Sequence, residues 1–303
     1  MSNTQQTAYD TRAYAKINIT LDVLGKRSDG YHELVTIMQT IDLHDTIRLT
    51  ESADDAIHLT CTQAELSNND NLAARAAQLI RLRLGLRRGI SIELEKRIPS
   101  SAGLGGGSSD AAAVIVGWQR WRQLPLTLTA MQEMAASLGS DVPFFLKGGL
   151  ALCQGRGEQV TQLDPYWPTE LRWLLLLKPA ISLATAAVFR HITPEDYSDG
   201  THSRDVRAAL AARKMPDSDH LHNGLERAVL QHYPQVAQAK AAMLQAGAPL
   251  VRLSGSGPTL FAPFTQLADA QQAYETLRSQ RYEVYLSQAV YPHQTVITQQ
   301  CEL

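Results

Sequence analysis

The stretch that decides the fold is Pro99-Ser-Ser-Ala-Gly-Leu-Gly-Gly-Gly-Ser-Ser-Asp110. It follows a strand-like run at 90–95 and precedes an alanine-rich, helical run at 111–116. Glycine at four of the five positions 103–107 adds little packing but permits positive φ and close approach of the main chain to a ligand. Where such a loop enters a helix, free N–H groups and the helix dipole form an anion site. Ser108 and Ser109 can cap that helix or donate hydroxyls to phosphate oxygens or to a hydrated metal.

Three familiar phosphate-binding motifs do not fit this loop. In the dinucleotide fingerprint, counted from Gly103 and Gly105, the third glycine would fall on Ser108. That motif also needs an acidic residue about twenty positions on, and none occurs between Asp110 and Glu133. The Walker A ending Gly-Lys-Ser/Thr and the protein-kinase triplets are absent from the sequence. A glycine-rich turn without a ligand remains the alternative, but the serines and the strand–loop–helix setting favour a phosphate loop.

Composition narrows the classes of protein. The 303 residues carry 28 basic and 30 acidic side chains, a net charge of −2, which argues against a nucleic-acid or anionic-membrane partner. The longest apolar run, at 173–177, is too short to span a bilayer, and the first residues lack the features of a signal or transit peptide. Cys61, Cys153 and Cys301 match no zinc spacing and suggest a reducing compartment. We therefore expect a cytoplasmic globular protein, long enough for two domains.

Two further segments offer side chains suited to catalysis. From Ala13 to Val23 the sequence alternates, which predicts a strand with one apolar and one polar face. The polar face consists of Lys16, Asn18, Thr20 and Asp22. By pattern alone such a face is more often a solvated surface. In the segment 139–145, Asp141 follows a helix exit and precedes a proline, which predicts a rigid, partly desolvated carboxylate, although an isolated aspartate there is more often a turn residue.

The loop at 99–110 resembles the phosphate loop of the GHMP kinase superfamily, which includes galactokinase, homoserine kinase and mevalonate kinase. Two other superfamily motifs stand in the same order, Ala15-Lys-Ile-Asn18 and Ser254-Gly-Ser-Gly-Pro-Thr259. The Gly-Leu-Gly-Gly-Gly-Ser-Ser form of the loop and Gly30-Tyr-His32 are similar to the branch that phosphorylates a diphosphocytidyl alcohol. One position departs from that pattern, because residues 223–226 read Asn-Gly-Leu-Glu where the branch has Asn-Asp-Leu-Glu.

The resemblance implies a role for each matching residue. Asp141 would be the catalytic base, and Lys16 would lie beside it. ATP binding is expected from Asn71, Lys96, Pro99, Ser100, Ser101, Ala102, Gly103, Leu104, Gly105, Gly106, Gly107, Ser108 and Ser109. Acceptor binding is expected from Asn18, Tyr31, His32, Thr185 and Phe189, with His32 and Phe189 at the cytosine. From the residues alone, simpler interpretations stay open: Asn71 as a helix cap, Lys96 as a solvated lysine and Phe189 as a core residue.

The resemblance also implies an α+β, two-domain GHMP kinase fold. Its N-terminal domain would be like ribosomal protein S5 domain 2, its C-terminal domain ferredoxin-like, and its active site would lie in the cleft between them. The pattern predicts strands at 13–23, 33–40, 43–50 and 57–62, read as antiparallel, and helices at 71–80, from the phosphate loop to about 122, and from Thr129 to 139. After the proline-rich segment 164–168, a strand–helix–strand–strand–helix–strand order ends with a strand over 282–291. We place the domains at 1–165, which binds ATP, and 166–303.

These roles predict an ATP-dependent kinase that acts on an alcohol. Backbone N–H groups of 102–109 would hold the phosphates, Mg²⁺ would neutralise them, and Asp141, kept ionised by Lys16, would take the hydroxyl proton. No carboxylate stands out as a Mg²⁺ ligand, so the metal ligands stay open, with Ser108 or Ser109 as helpers. The expected partner is the small diphosphocytidyl alcohol, and the expected state is a monomer or weak homodimer. The alternatives are a GHMP kinase for homoserine or mevalonate, which the Gly-Tyr-His segment disfavours, and a nucleotide-binding module without chemistry, which intact Lys16 and Asp141 disfavour.

Overall fold

The structure is a computed structural model that describes residues 7–290. Cys301 and the last residue of the strand predicted over 282–291 lie outside this range. The strands are β1 (Ala8–Lys26), β2 (His32–Glu51), β3 (Ile57–Cys61), β4 (Ile90–Glu95), β5 (Leu150–Gly155), β6 (Gln159–Gln162), β7 (Trp173–Lys178), β8 (Arg252–Leu253), β9 (Leu260–Phe264) and β10 (Glu283–Gln288). The helices are α1 (Leu72–Leu84), α2 (Gly106–Arg122), α3 (Leu128–Leu138), α4 (Val142–Phe145), α5 (Thr185–Phe189), α6 (Thr201–Ala211), α7 (Glu226–His232), α8 (Pro234–Gln245) and α9 (Leu267–Ser279).

The first sheet has the strand order β3-β4-β2-β5-β6, and β1 pairs along β2. β2 is one strand where two were predicted, because β1 pairs with both halves while β5 pairs with residues 34–39 and β4 with 46–51. The antiparallel arrangement predicted for 57–62 was wrong. β3 pairs parallel to β4, since α1 carries the chain back along the sheet between them.

α3 starts earlier than predicted, because Thr127 rather than Thr129 accepts the capping hydrogen bond, from Ala130 N at 3.1 Å.

The second sheet has the strand order β10-β7-β9-β8, with every neighbouring pair antiparallel. In chain order the strands are β7, β8, β9 and β10, so the first strand, β7, lies between the third and the fourth. Helices follow β7 and β9. This β-α-β-β-α-β arrangement is the ferredoxin-like fold predicted for the C-terminal half. The ferredoxin-like part of the expected fold is therefore confirmed.

Three apolar clusters divide the molecule into layers. The first sheet packs one face on α1–α4, with Ile47 and Ile115 among the buried contacts. The two sheets then share a core between them, the second cluster, to which β7 contributes Leu174 and Leu176. The next residues along that strand, Leu175 and Leu177, face α7–α9 in the third cluster. β7 is therefore apolar on both faces, which explains the unbroken run at 173–177.

The polar face of β1 is buried. Asp22 Oδ2 accepts hydrogen bonds from Ser203 N at 2.8 Å and Ser203 Oγ at 2.5 Å, and its Oδ1 accepts from Ser198 Oγ at 2.6 Å. Thr20 Oγ1 also lies 2.7 Å from Ser203 Oγ. These bonds attach the first turn of α6 to β1. Lys16 is also 3 % exposed, but it lies further back on the strand and reaches the cleft described below.

At Gly224, where the family pattern has aspartate, the backbone lies close to β1. Gly224 N donates to Leu21 O at 2.8 Å, and a Cβ at this position would lie 3.2 Å from Val23 Cγ2 and 3.3 Å from Leu21 O. A side chain would therefore require β1 to shift by a few tenths of an ångström. Asn223 Nδ2 donates to Leu253 O and Gly255 O, both at 2.9 Å, and so braces the start of the 254–259 loop.

The chain passes from the first sheet to the second between Gln162, where β6 ends, and Trp173, where β7 begins. The domain boundary that we propose, between residues 165 and 166, lies in this connection. Among the helices in residues 7–290, none is both long and apolar enough to cross a membrane.

Candidate active site

A cleft of about 1290 Å³ opens between the two halves of the chain, bounded by β1, the phosphate loop, α5 and the 254–259 loop. Leu104 and Ser109 do not line it: Leu104 packs in the core shared by the sheets, and Ser109 faces a separate small cavity. All the other site residues predicted from the sequence do: Lys16, Asn18, Tyr31, His32, Asn71, Lys96, Pro99, Ser100, Ser101, Ala102, Gly103, Gly105, Gly106, Gly107, Ser108, Asp141, Thr185 and Phe189.

The phosphate loop joins β4 to α2 as predicted. Gly105 occupies the N-cap position with φ of 73°, and Gly103 has φ of 83°, so both need glycine. Neither serine is the cap, because the helix begins at Gly106 and places both serines in its first turn. Ser108 faces the cleft, while Ser109 is buried. The uncapped N–H groups and the positive end of α2 therefore point toward the cleft, which suits an anion.

The 254–259 loop lies directly against the phosphate loop. Thr259 N donates to Ala102 O at 3.2 Å, and Ser254 Oγ donates to Gly103 O at 3.3 Å. A Cβ on Gly257 would lie 2.1 Å from Gly103 N. No side chain fits at that distance, so the contact between the two loops requires glycine at 257.

Lys16 and Asp141 meet at the centre of the cleft. Lys16 Nζ lies 3.4 Å from Asp141 Oδ2 and donates to Asn18 Oδ1 at 2.5 Å. Lys16 is fixed at a β-bulge of β1, where its backbone N donates to Leu104 O at 3.0 Å. Asp141 holds the N-cap position of α4 but makes no capping bond with its side chain, so the carboxylate is directed at the lysine. Lys16 is 3 % and Asp141 31 % exposed, which leaves one side of the carboxylate open to a ligand.

At the other end of the cleft, the His32 and Phe189 rings stack with centroids 5.0 Å apart. Tyr197, which the sequence analysis did not single out, meets His32 edge-on at 6.2 Å. Burial, with a smaller effect of Lys26, lowers the pKa of His32, so the imidazole is neutral at neutral pH. Thr185 Oγ1 lies 2.9 Å from Ser256 Oγ and thereby joins α5 to the 254–259 loop. This end offers π surfaces and a neutral imidazole that suit an uncharged aromatic ring.

Lys96 is buried rather than solvated, and two carboxylates that sequence reasoning missed enclose it. Its Nζ donates to Asp45 Oδ2 and, at 2.8 Å, to Asp110 Oδ2. Asp45 Oδ1 also accepts from Arg97 N and Ile98 N, at 2.5 and 2.8 Å. Burial raises the pKa of Asp110 to about 7, Asp45 adds to the effect, and Lys96 opposes it. The triad Asp45–Lys96–Asp110 therefore fixes the junction between β4 and the phosphate loop.

Asn71 is the N-cap of α1, as the simpler interpretation held. Its Oδ1 accepts from Ala73 N at 2.9 Å, and its Nδ2 donates to Leu66 O at 2.9 Å. The side chain still borders the cleft, but both of its polar atoms are engaged.

Cys153 and the possible metal ligands of residues 7–290 can be compared with what thiol or metal sites require. Burial and the nearby Asp141 raise the pKa of Cys153, so its thiol stays protonated. Within residues 7–290, no group of three or more His, Cys, Asp or Glu side chains is arranged to hold a metal ion. What the cleft provides is an anion cradle, a lysine–aspartate pair and an aromatic end.

Comparison with known proteins agrees with this arrangement. The model for the GHMP kinases N terminal domain matches residues 71–149, and the model for the GHMP kinases C terminal domain matches residues 206–283. A 4-diphosphocytidyl-2-C-methyl-D-erythritol kinase of Alkaliphilus metalliredigens is 40 % identical over 281 residues, which cover 92 % of this chain and 95 % of that protein.

Solved structures show the same fold. A crystal structure of 4-(cytidine 5'-diphospho)-2C-methyl-D-erythritol kinase aligns with a TM-score of 0.79 and 32 % identity, over 92 % of this chain and 98 % of the other. Homoserine kinase from Cytophaga hutchinsonii aligns with a TM-score of 0.75 and 17 % identity over 97 % of this chain and 98 % of the other, which bears on the fold alone.

The chain belongs to the GHMP kinases, which makes it an ATP-dependent kinase. Within that superfamily it groups with the 4-diphosphocytidyl-2-C-methyl-D-erythritol kinases.

Proposed function

We propose that the chain transfers the γ-phosphoryl group of ATP to the 2-hydroxyl of 4-diphosphocytidyl-2-C-methyl-D-erythritol, giving the 2-phosphate and ADP in non-mevalonate isoprenoid biosynthesis. The observation that carries the proposal is the position of the Lys16–Asp141 pair, which lies between the phosphate loop and the His32–Phe189 pair in one cleft. A cytosine-bearing alcohol fits this order, because its ring and its reacting hydroxyl are at opposite ends of the molecule. The names of the relatives support the same acceptor.

The phosphates of ATP are assigned to the N-terminus of α2. Backbone N–H groups around Gly105–Ser108 supply hydrogen bonds, and the helix dipole favours the negative charge. Mg²⁺ is part of the proposal as the companion of ATP, where it neutralises phosphate charge when bound. The absence of an acidic cluster in residues 7–290 suits a Mg²⁺ held mainly by phosphates and water, with the Ser108 hydroxyl in reach of the cleft.

Asp141 is assigned as the base. The acceptor oxygen forms a bond to the γ-phosphorus while the bond to the leaving oxygen of ADP breaks, and the hydroxyl proton passes to the Asp141 carboxylate. Lys16 balances the charge of Asp141 and stabilises the negative charge on the transferring group. Asn18 holds the ammonium in place through its Oδ1, and Thr36 Oγ1 accepts from Asn18 Nδ2 at 2.8 Å. The pair is therefore oriented before a substrate arrives.

The residues assigned to ATP and to the acceptor in the sequence analysis remain part of this proposal, with Leu104 and Ser109 acting through the loop backbone rather than by side-chain contact. The cytoplasmic location and the monomeric or weakly dimeric state also belong to it. The location is supported by the cysteine usage of the sequence.

The test is ADP release by the wild-type protein with 4-diphosphocytidyl-2-C-methyl-D-erythritol, homoserine and mevalonate as acceptors, with the product located by phosphorus NMR. The proposal predicts turnover with the diphosphocytidyl alcohol and phosphate on its 2-oxygen. Turnover with homoserine or mevalonate in its place would overturn the proposed acceptor. ATP binding without turnover of any acceptor would favour a binding module.

A further inference from the structure

The turn between β5 and β6 runs from the centre of the cleft toward its aromatic end. Gly157 lies at one side of it, where an added Cβ would be 3.8 Å from Asp141 Oδ1. At the other side Gly155 pairs with Leu34 in the β2–β5 ladder, two residues from His32. Arg156 is the residue between these glycines, and its side chain lines the cleft. It is thus anchored between the proposed base, Asp141, and the His32–Phe189 pair, which is the proposed site of the acceptor's ring and is called the ring site below.

The guanidinium of Arg156 forms a loose ion pair with Glu158, but no hydrogen bond of its side chain to another side chain is seen within residues 7–290. Its Cζ lies 4.9 Å from the centroid of the Tyr31 ring, a cation–π contact that orients the planar group. Within residues 7–290, the nearest carboxylate oxygen is Glu158 Oε2, 3.8 Å from Nε, which is beyond hydrogen-bond distance. That oxygen instead accepts from Arg156 N at 2.7 Å. The side-chain N–H groups are therefore available to a ligand, and the side chain is 31 % exposed.

Two lysines near the centre of the cleft have closer carboxylate partners than Arg156 has. Lys16 lies against Asp141, and Lys96 lies between two carboxylates. Lys26 and Arg190 also line the cleft, but they flank the ring site, since Lys26 pairs with His32 in the β1–β2 ladder and Arg190 follows Phe189. An anionic group located between the reaction centre and the ring site would therefore meet Arg156.

We propose that Arg156 binds the diphosphate of the acceptor and so selects alcohols that carry a diphosphate next to the ring. The inference rests on the proposed function, because a diphosphocytidyl alcohol carries its diphosphate between the ring and the reacting hydroxyl. A guanidinium presents two parallel N–H donors to phosphate oxygens, whereas an ammonium offers one point charge. Arg156 is a binding and specificity-determining residue here, and Asp141 remains the base.

The test compares Arg156→Ala and Arg156→Lys with wild type and with Arg48→Ala, an exposed arginine of β2 outside the cleft. CDP and cytidine are titrated by NMR while AMP-PNP fills the nucleotide site, and KM values are measured for the acceptor and for ATP. We expect Arg156→Ala to weaken CDP binding and raise the acceptor KM by about 10- to 100-fold. Cytidine binding and the KM of ATP should be unchanged, and Arg156→Lys should recover only part of the loss.

Equal weakening of CDP and cytidine would overturn the inference, because the residue would then serve the ring or the fold. CDP binding unchanged in Arg156→Ala would also overturn it. The proposed function fails separately, if the wild-type protein does not turn over the diphosphocytidyl alcohol. A thermal melt of each variant checks that the turn remains folded.

Discussion

Lys16 Nζ lies 3.4 Å from Asp141 Oδ2, although the two residues belong to the first strand and to the short helix α4. The ammonium is almost fully buried and the carboxylate is partly open. Removal of the lysine leaves a carboxylate that water can reach. Removal of the aspartate leaves a buried cation whose remaining side-chain hydrogen bond, among the residues that the structure describes, is to Asn18. The pair is the part of the cleft where a small chemical change has the largest expected effect on rate.

Replacement of the lysine isolates its contribution. Lys16→Met should lower kcat by about 10²–10³-fold, because the charge that stabilises the transferring group is lost. ADP release under saturating substrates measures this effect. Lys214→Met, at an exposed lysine outside the cleft, is the control and should keep wild-type kcat. A Lys16→Met enzyme within threefold of wild type would refute the assigned role.

The contact between the two glycine loops should not tolerate a methyl group. In Gly257→Ala the new Cβ would meet Gly103 N at 2.1 Å and Ala102 O at 2.4 Å, so the loops must separate. We expect a lower melting temperature, consistent with a cost of about 1–3 kcal/mol for overpacking, and weaker AMP-PNP binding. Gly139→Ala is the matched control, since its Cβ would meet only Val142 Cγ2, at 3.6 Å. Equal stability and nucleotide affinity in both variants would contradict the close approach.

The aromatic end of the cleft should set the acceptor affinity. The centroids of the His32 and Phe189 rings are 5.0 Å apart. A ring inserted between them would need a stacking distance of roughly 3.5 Å on each of its two faces, which is more than this gap provides. A base therefore stacks on an open ring face or parts the two rings. Phe189→Ala should raise the acceptor KM by about 10- to 100-fold, from the 1–3 kcal/mol typical of base stacking, and leave the KM of ATP unchanged. Phe189→Tyr keeps the ring and should remain close to wild type; an unchanged KM in Phe189→Ala would exclude this role.

Asp110 should make stability depend on pH. Burial raises its pKa in the folded protein to about 7, above the ordinary value of 3.8. Between these values the folded state keeps a proton that the unfolded chain has released, so the contribution of Asp110 to stability falls as pH rises from about 4 to 7. Asp110→Asn cannot ionise and lacks this slope. Urea unfolding at pH 5, 6.5 and 8 should therefore show the variant gaining on wild type as pH rises, and a constant difference would contradict the assignment.

Much of the site could be located from sequence because its key segments carry local backbone signals. The phosphate loop and the 254–259 loop are marked by glycines, two of which do adopt positive φ in the phosphate loop at 103 and 105. Asp141 was marked by the proline two residues later, which lies in the first turn of α4. Such signals are short in range, and the structure places these segments around one cleft.

The parts that sequence could not give depend on contacts between distant residues. Asp45 lies 51 positions before Lys96, inside a strand with no unusual sequence pattern. No local feature of the sequence therefore indicates its hydrogen bond with the Lys96 ammonium. The parallel pairing of β3 with β4 was missed because strand pattern does not encode the direction of a partner. Thr127 and Thr129 are both plausible caps by sequence, and the hydrogen bond from Ala130 N to Thr127 Oγ1 identifies the first of them.

The most direct test of the central claim is the single-turnover rate of phosphoryl transfer to 4-diphosphocytidyl-2-C-methyl-D-erythritol in wild type and in Asp141→Asn. Asparagine keeps the shape of the side chain but cannot accept the hydroxyl proton. With AMP-PNP and CDP affinities as binding controls, we predict a rate at least 100-fold lower in the variant and little change in either affinity. A rate within threefold of wild type, in a folded variant that binds both ligands, would contradict the assignment of Asp141 as the base.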